Sequence, residues 1–396
     1  MPNQPNQLLI LLWGGRVQPS IMLAHQLNPA AVACVVSRDT KDASRHFQTL
    51  RRVLPNAQAL EPIPVNPYRV ADTLAALEKI RAHYPQHQPA ISVTSATVPM
   101  TIAAYETARS WKCPAYYINT SGGEILDLTT PDEPDPLHVK VPAETFVRIY
   151  GLEPVPPDKT TPYASTLSDR MAAAVEMGRS PVAHEVTAWL RGTSTMPTDG
   201  AVIGEKCKRW RGEFGAQHMA FLEILQRYGI IRDLRRTRDR VTYEIPAEGE
   251  GEFIRGEWLE LYTLAAARSL KKKGVLDDCV SGLRVRSDTA EREIDLVATY
   301  RGMVMIASCK AVKKPWIKAY LDELAAVAKM LSGDYCIRLY ITDQPRPAPP
   351  PGGIDPFDQF MEQARQQRIV VVTGDDLPRL AEIMRREIEK PTYAPR

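Results

Sequence analysis

The chain has 396 residues, 44% of them hydrophobic and 24% charged, which excludes an intrinsically disordered chain and a disulfide-stapled miniprotein and suggests roughly two or three domains. A net charge of +3 is too small to argue by itself for a nucleic-acid partner. The positive charge is unevenly placed, with ten Lys or Arg against four Asp or Glu between Lys206 and Arg240, but thirteen against twelve over residues 1–150.

Thirty-three prolines against 22 glycines imply stiff loops between elements. The cysteines at 34, 113, 207, 279, 309 and 336 form no CxxC pair, which speaks against a zinc site or structural disulfides. The start MPNQPNQ carries no basic residue, and the apolar run LLILLW is six residues long, too short for a signal peptide or a membrane span. A cytoplasmic protein is expected.

Leu8–Trp13 and Ala31–Val36 read as buried parallel strands, separated by a helix over Pro19–Leu27. A helix over Arg38–Leu54, a proline-rich loop with a short strand over Pro55–Pro67, and a helix over Pro67–Tyr84 follow. A strand at Ile91–Thr94, a helix over Val98–Trp111 and a strand at Ala115–Asn119 complete about five β-α repeats. This order implies an α/β fold with an open, doubly wound parallel sheet, whose ligands bind beyond the carboxyl ends of the strands. Three loops lie there. Gly14-Gly15-Arg16-Val17-Gln18-Pro19-Ser20 is not GxGxxG, but offers close backbone approach, N–H groups at a helix start and one Arg for a phosphate or base. Thr94-Ser95-Ala96-Thr97 and Asn119-Thr120-Ser121-Gly122-Gly123 are hydroxyl-rich and uncharged. Such loops suit the sugars and bases of a nucleotide, and they equally suit ordinary turns.

The segments LLILLWGGRVQPS, VVSRDT and TSATVPMTIAAY resemble the CRISPR-associated Rossmann fold (CARF) domain of ancillary effectors in type III CRISPR systems. The resemblance implies a sensor of cyclic oligoadenylates, with Gly14, Gly15, Arg16, Gln18, Ser37, Thr94, Ser95, Thr97, Asn119, Thr120 and Ser121 as ligand-binding residues. Relatives usually have Thr-Gly-Gly-Thr-Lys in the second loop, whereas Val98 takes the place of the Lys here. Backbone amides and Arg16 then carry more of the phosphate recognition.

Residues 151–250 are expected to be a helical connector, with helices over Thr166–Met177 and around Val182–Leu190. A helix over Met219–Tyr228, a strand at Ile230–Leu234, a basic turn Arg235–Arg240 and a strand at Val241–Ile245 resemble the end of a winged helix. The basic wing can contact phosphates, though solvated hairpin tips are also commonly charged. Ala247–Glu252 reads as a linker.

In the last segment, 251–396, a long helix is expected over Phe253–Lys273, with Glu257 and Glu260 on one side. Strands follow at Cys279–Val285, Glu293–Tyr300 and Met303–Cys309, then at Tyr335–Thr342 and Ile369–Thr373, with helices near Phe357–Gln367 and over Asp375–Lys390. Asp295 stands in an otherwise apolar strand, where an unpaired carboxylate is costly unless a metal or partner compensates it. Lys310 comes fifteen positions later, at the end of the next apolar run. Helix Glu, strand Asp and next-strand Lys is the order of the PD-(D/E)XK nuclease core; a surface Asp–Lys pair is the alternative.

GEWLELYTLAAARS, EREIDLVAT, MIASCKA, IKAYLDELAAVAKMLSGDY and IVVVTGDDL extend the likeness, because they resemble the nuclease domain of CARF–nuclease fusions. By that resemblance Glu260 is the helix acid, Asp295 the principal metal ligand and Lys310 the catalytic lysine, with Glu257 and Glu293 in reserve. Asp295 and Glu260 then hold Mn²⁺ or Mg²⁺. Ser308 replaces the usual Glu two residues before the Lys, and a hydroxyl is a weak ligand for a hard cation. Ser308 binds through water on this reading, or Glu260 or Glu293 replaces the missing carboxylate, or the nuclease is degenerate.

The expectation is a homodimeric, cyclic tetra-adenylate-activated, metal-dependent endonuclease in antiviral defence, cleaving single-stranded RNA or DNA, or duplex DNA. It comprises a sensing domain (1–150), a connector with a winged-helix-like end (151–250) and a restriction-endonuclease-like α/β domain (251–396), with no membrane contact. The alternative is a ligand-responsive nucleic-acid-binding regulator with a degenerate nuclease domain.

Overall fold

The apolar runs QLLILLW and AVACVVS form β1 (Gln7–Trp13) and β2 (Ala31–Ser37), and every residue of both is buried. Coverage on both faces explains why they show no polar alternation. The computed structural model describes residues 6–14, 17–40, 43–119, 123–131, 133–137, 140–156, 161–191, 204–209, 214–237, 240–287, 290–331, 336–348 and 356–393. Contacts divide the chain into two units, Met1–Pro154 with Thr299–Met303, and Val155–Ala298 with Val304–Arg396.

In the first unit, β1 lies between β2 and β4 (Gln88–Ser95), parallel to both. The sheet runs β3-β2-β1-β4-β5-β6-β7, with β3 at Gln58–Val65, β5 at Ala115–Asn119, β6 at Glu124–Asp127 and β7 at Asp135–Pro136. The last two strands pair antiparallel. Helices α1 (Gln18–Leu27), α2 (Ala43–Val53), α3 (Val70–His83) and α4 (Val98–Trp111) connect the parallel strands, and α5 (Ala143–Ile149) follows the sheet. Leu8, Ile10 and Leu12 of β1 pack with Val35, Ile91, Leu77, Ile80 and Met100 in the core. The stretch expected to be mostly loop is the eight-residue strand β3. Pro62 and Pro64 are tolerated because β3 is the sheet's edge, where missing N–H donors cost no ladder bond.

The second unit begins, after the short strand β8 (Glu153–Val155), with α6 (Leu167–Arg179) and α7 (Ala183–Arg191). Thr166 and Asp169 form a reciprocal capping box on α6. A small antiparallel sheet, β10-β11-β9, comprises β9 (Gly204–Arg209), β10 (Arg232–Arg236) and β11 (Arg240–Ile245), with α8 (Ala216–Arg227) between its first two strands in sequence. The expected linker is helix α9 (Glu248–Glu252), running into a π-turn (Phe253–Glu257) and then α10 (Trp258–Lys272). Glu250 is fully buried, and its carboxylate accepts hydrogen bonds from Ala164 N, Ser165 N and Ser165 Oγ.

The larger sheet of this unit contains β12 (Asp278–Arg286), β13 (Glu291–Tyr300), β14 (Met303–Lys310), β15 (Cys336–Thr342) and β16 (Ile369–Val372), in the order β16-β15-β14-β13-β12. The pairs β14–β15 and β15–β16 are parallel. Arg301 and Gly302, at φ 43° and 70°, turn β13 into β14, the left-handed pair that a two-residue hairpin demands. Helices α11 (Lys318–Leu331), α12 (Pro356–Gln366) and α13 (Leu380–Glu389) complete the α/β fold. Among the described residues no helix is long and apolar enough to cross a membrane.

Candidate functional site

The strand order of the first unit reverses between β1 and β4, both edges of the reversal being parallel. Open α/β sheets bind ligands at such a switch point. Gly14 leaves β1 there, and its N–H donates to the Ser95 carbonyl at 2.6 Å. A Cβ on Gly14 would lie 2.9 Å from the Thr97 nitrogen and 3.2 Å from the Ala96 carbonyl carbon, so glycine is what lets the two loops touch. Beneath them, Ser20 Oγ donates to Ser95 Oγ at 3.2 Å in a buried contact. Gln18 is buried, and its Oε1 has no hydrogen-bond partner among the described residues.

Other hydroxyls are already engaged. Thr94 Oγ1 accepts from Ile118 N (2.9 Å), Thr97 Oγ1 donates to the Pro67 carbonyl (2.7 Å) and Ser37 Oγ accepts from Asp39 N (3.1 Å). Asn119 Nδ2 donates to Glu124 Oε2 at 3.0 Å. The structure thus gathers Gly14, Gln18, Ser95 and Thr97 at the switch point, with Thr94 and Asn119 on adjoining strands, whereas Ser37 ends β2 in a local turn. Gly15, Arg16, Thr120 and Ser121 lie outside the described residues. Neither α1 nor α4 has a side-chain cap or an acidic residue in its first turn, which leaves two positive helix ends at the switch point.

The second unit holds the acid–lysine constellation. On β14, Ser308 and Lys310 share one face by the two-residue period, while buried Cys309 meets Thr263 Oγ1 of α10 at 3.4 Å. Asp295 on β13 accepts a 2.6 Å hydrogen bond from Cys309 N. Burial raises the Asp295 carboxyl above its usual range, against the opposing pull of that N–H and of Lys310. Glu293, Asp295, Ser308 and Lys310 line one cavity, and α11 contributes Glu323 to the same lining. Sequence reasoning did not single out Glu323; its signal was the helical face Tyr320, Glu323, Leu324 and Val327 within a segment already quoted for its family likeness. Lys310 Nζ lies 5.3 Å from the Tyr320 ring centroid, within cation–π range.

Glu260 of α10 belongs to the same electrostatic group. Its carboxyl is pushed up to about 8, first by burial and then by the charges of Asp295, Glu293 and Glu257, with Lys310 opposing. Glu257, at the end of the π-turn, turns instead to Arg170, whose Nε is 3.9 Å away, and to Tyr163. Among the described residues no three His, Cys, Asp or Glu side chains are grouped to hold a metal ion. The donor chemistry nonetheless fits a hard cation, because Mg²⁺ commonly takes one or two carboxylates and completes its shell with water and phosphate oxygens. Burial raises both carboxyls and Lys310 opposes that rise in each, with the charge of Asp295 adding to the rise of Glu260.

No protein-family model and no curated protein matches the chain. Solved structures do. Can2 from Sulfobacillus thermosulfidooxidans, in complex with cyclic tetra-adenylate, is similar at a TM-score of 0.69 and 15% identity, over 97% of each chain. Protein VC1899 from Vibrio cholerae is similar at a TM-score of 0.74 and 11% identity, over 98% of this chain and 99% of its own. These likenesses establish a chain-long common fold, with a Rossmann-like first unit and a second α/β unit.

Proposed function

We propose that the protein is a metal-dependent nuclease switched on by a cyclic oligoadenylate, of which cyclic tetra-adenylate is the first choice. The observation that carries the reading is the convergence of Asp295, Lys310 and Glu260 in one electrostatic group on a β-hairpin and its neighbouring helix. The sensor reading is supported by the switch point, where two uncapped helix ends and an unpaired Gln18 acceptor suit phosphates and an adenine amine. It is supported too by the chain-long fold likeness to Can2 with cyclic tetra-adenylate. Three segments divide the work on this reading: 1–150 senses the ligand, 151–250 connects, and 251–396 cleaves.

Asp295 and Glu260 would hold Mn²⁺ or Mg²⁺. When bound, the cation activates water and offsets phosphate charge. Lys310, steadied by Tyr320, supplies positive charge where the transition state gains negative charge. Asp295 is held in place by Cys309 N. Exposed Tyr68, Val70 and Leu74 around the start of α3, with Val98 and Ile102 on α4, form apolar surface beside the ligand loops. A second copy covering that surface makes the homodimer expected for a two-fold cyclic ligand.

One observation favours a second reading. The β10–β11 hairpin carries exposed Arg232, Arg235, Arg236 and Arg240 beside α8, as a phosphate-binding wing would. A regulator that binds DNA without cutting it follows if the nuclease site is inert.

The test is cleavage of labelled single-stranded RNA, single-stranded DNA and supercoiled plasmid with Mn²⁺ or Mg²⁺, with and without cyclic tetra-adenylate. Activator-dependent cleavage that EDTA stops is expected. Activator binding without cleavage of any substrate would shift the assignment to the regulator.

A further inference from the structure

Ala311 is the first residue past the end of β14, next to Lys310 in the chain. The parallel ladder to β15 closes at the Lys310–Thr342 pair, so the carbonyl of buried Ala311 lies beyond it. A buried carbonyl left without a donor is costly. Arg191, the last residue of α7, supplies one: its Nη1 donates to the Ala311 carbonyl at 2.6 Å. The same nitrogen reaches the Arg255 carbonyl, in the π-turn that leads into α10, at 3.4 Å. Its Nη2 donates to Asp343 Oδ2, just beyond β15, at 2.6 Å. One guanidinium therefore joins the end of the strand that carries Lys310, the entry to the helix that carries Glu260, and the end of β15.

The carboxylate that neutralises it is equally well held. The Asp343 side chain is fully buried and that of Arg191 is 14% exposed. Gln344 Nε2 donates to the other Asp343 oxygen at 3.0 Å. Thr187, one turn before Arg191 on the same face of α7, has its Oγ1 3.3 Å from Oδ2. Desolvation offsets much of the attraction within a buried ion pair, so net stability is a weak reason for charge here. A planar fork that bonds two carbonyls and a carboxylate at once fixes direction instead. Thr342 Oγ1 donates to the Lys310 carbonyl at 2.8 Å, so two successive carbonyls at the base of the Lys310 side chain are held.

We propose that Arg191 is a positioning residue for Lys310, fixing the end of β14 against the entry to α10 and so setting where the Lys310 ammonium stands relative to Glu260. This rests on the nuclease reading above. It also gives segment 151–250, read from the sequence as a connector, a part in the site.

Lysines of the full-length protein are methylated with isotope-labelled formaldehyde and observed by NMR, the Lys310 signal being identified by its loss in Lys310→Arg. Because the ammonium stands 5.3 Å from the Tyr320 ring centroid, the ring should displace this signal from those of exposed lysines. Arg191→Ala should return it to the exposed position. That variant strands the buried Asp343 charge, so Arg191→Met/Asp343→Asn, which removes charge and donor together, is measured beside it, and thermal melting establishes that each is folded. Glu387→Ala, which removes a buried carboxylate of α13 bonded to Thr392, controls for lost stability and should leave the signal in place. In steady-state cleavage the Arg191→Ala and double variants should lower kcat about 10–100-fold with KM nearly unchanged, and Arg191→Lys, lacking the fork, should restore only part of it. A Lys310 signal unmoved in the folded double variant overturns the proposal and spares the nuclease reading. Equal movement in Glu387→Ala also overturns it, since any loss of stability would then suffice. A signal moved only by the Arg191 variants, in a parent that cleaves nothing, supports the positioning of Lys310 and overturns the nuclease reading.

Discussion

Glu260 shows at a single residue how the site stores repulsion. Its carboxyl sits at about 8 where an ordinary Glu sits at 4.5, because burial and then Asp295 and Glu293 disfavour its charge. The folded protein therefore binds a proton that the unfolded chain has released between those values, so stability is full below about pH 4.5 and falls as pH rises towards 8. Glu260→Gln removes this loss. In metal-free buffer with EDTA its melting temperature should match the parent near pH 5 and exceed it near pH 8.5; equal differences at both pH values would count against the assignment. A cation competes with the same proton, so Mn²⁺ affinity of the parent should climb over this range. Gly14 makes the complementary point for the ligand loops. Its lack of a side chain matters through contact with Thr97, far away in sequence, since no local motif demands it.

Among the elements, α9 and β3 depart most from what their sequences suggest. The segment Ala247–Glu252 has the glycines and charge of a linker, but Glu250 is buried against the backbone at Ala164 and Ser165. Its carboxylate pins the start of the α9–π-turn–α10 run that carries Glu260. Replacing it with Ala removes the carboxylate that these donors share, and urea denaturation should register a loss of about 1.5–3 kcal/mol, the scale of hydrogen bonds to a charged group. A loss below about 0.5 kcal/mol, the scale of ordinary surface changes, would return the segment to linker status. The π-turn that follows, Phe253–Glu257, re-aims the helix just before α10. Glu257 contacts Arg170 and Tyr163, and its charge, after those of Asp295 and Glu293, also raises the Glu260 carboxyl one turn further on. In β3, proline signals a loop along the chain but an edge within the sheet.

For the whole molecule, the proposed assembly makes a ligand-dependent equilibrium in which a dimer closes around one cyclic activator. Leu74→Asp with Ile102→Asp places two charges on the apolar surface of α3 and α4. If the proposed dimer forms, light scattering coupled to gel filtration should then show a monomer for this variant against a dimer for the parent, with activator-dependent cleavage lost; a dimer in both would move the interface elsewhere. By itself the sequence determined the central strands β1, β2, β4, β5 and β12 to β16 and most of the helices packed on them, because apolar periodicity records burial, and it put Asp295, Ser308 and Lys310 on two adjacent strands of one hairpin. It also marked the loops of the switch point by their small polar residues. Tertiary structure alone decided that Gly14 meets Thr97, that Glu250 is buried against Ala164 and Ser165, and that Glu323 reaches the cavity of Asp295. Each of these depends on which faces of distant segments are pressed together, and side-chain direction across a packed interface is set by the packing of both partners rather than by the local pattern of either.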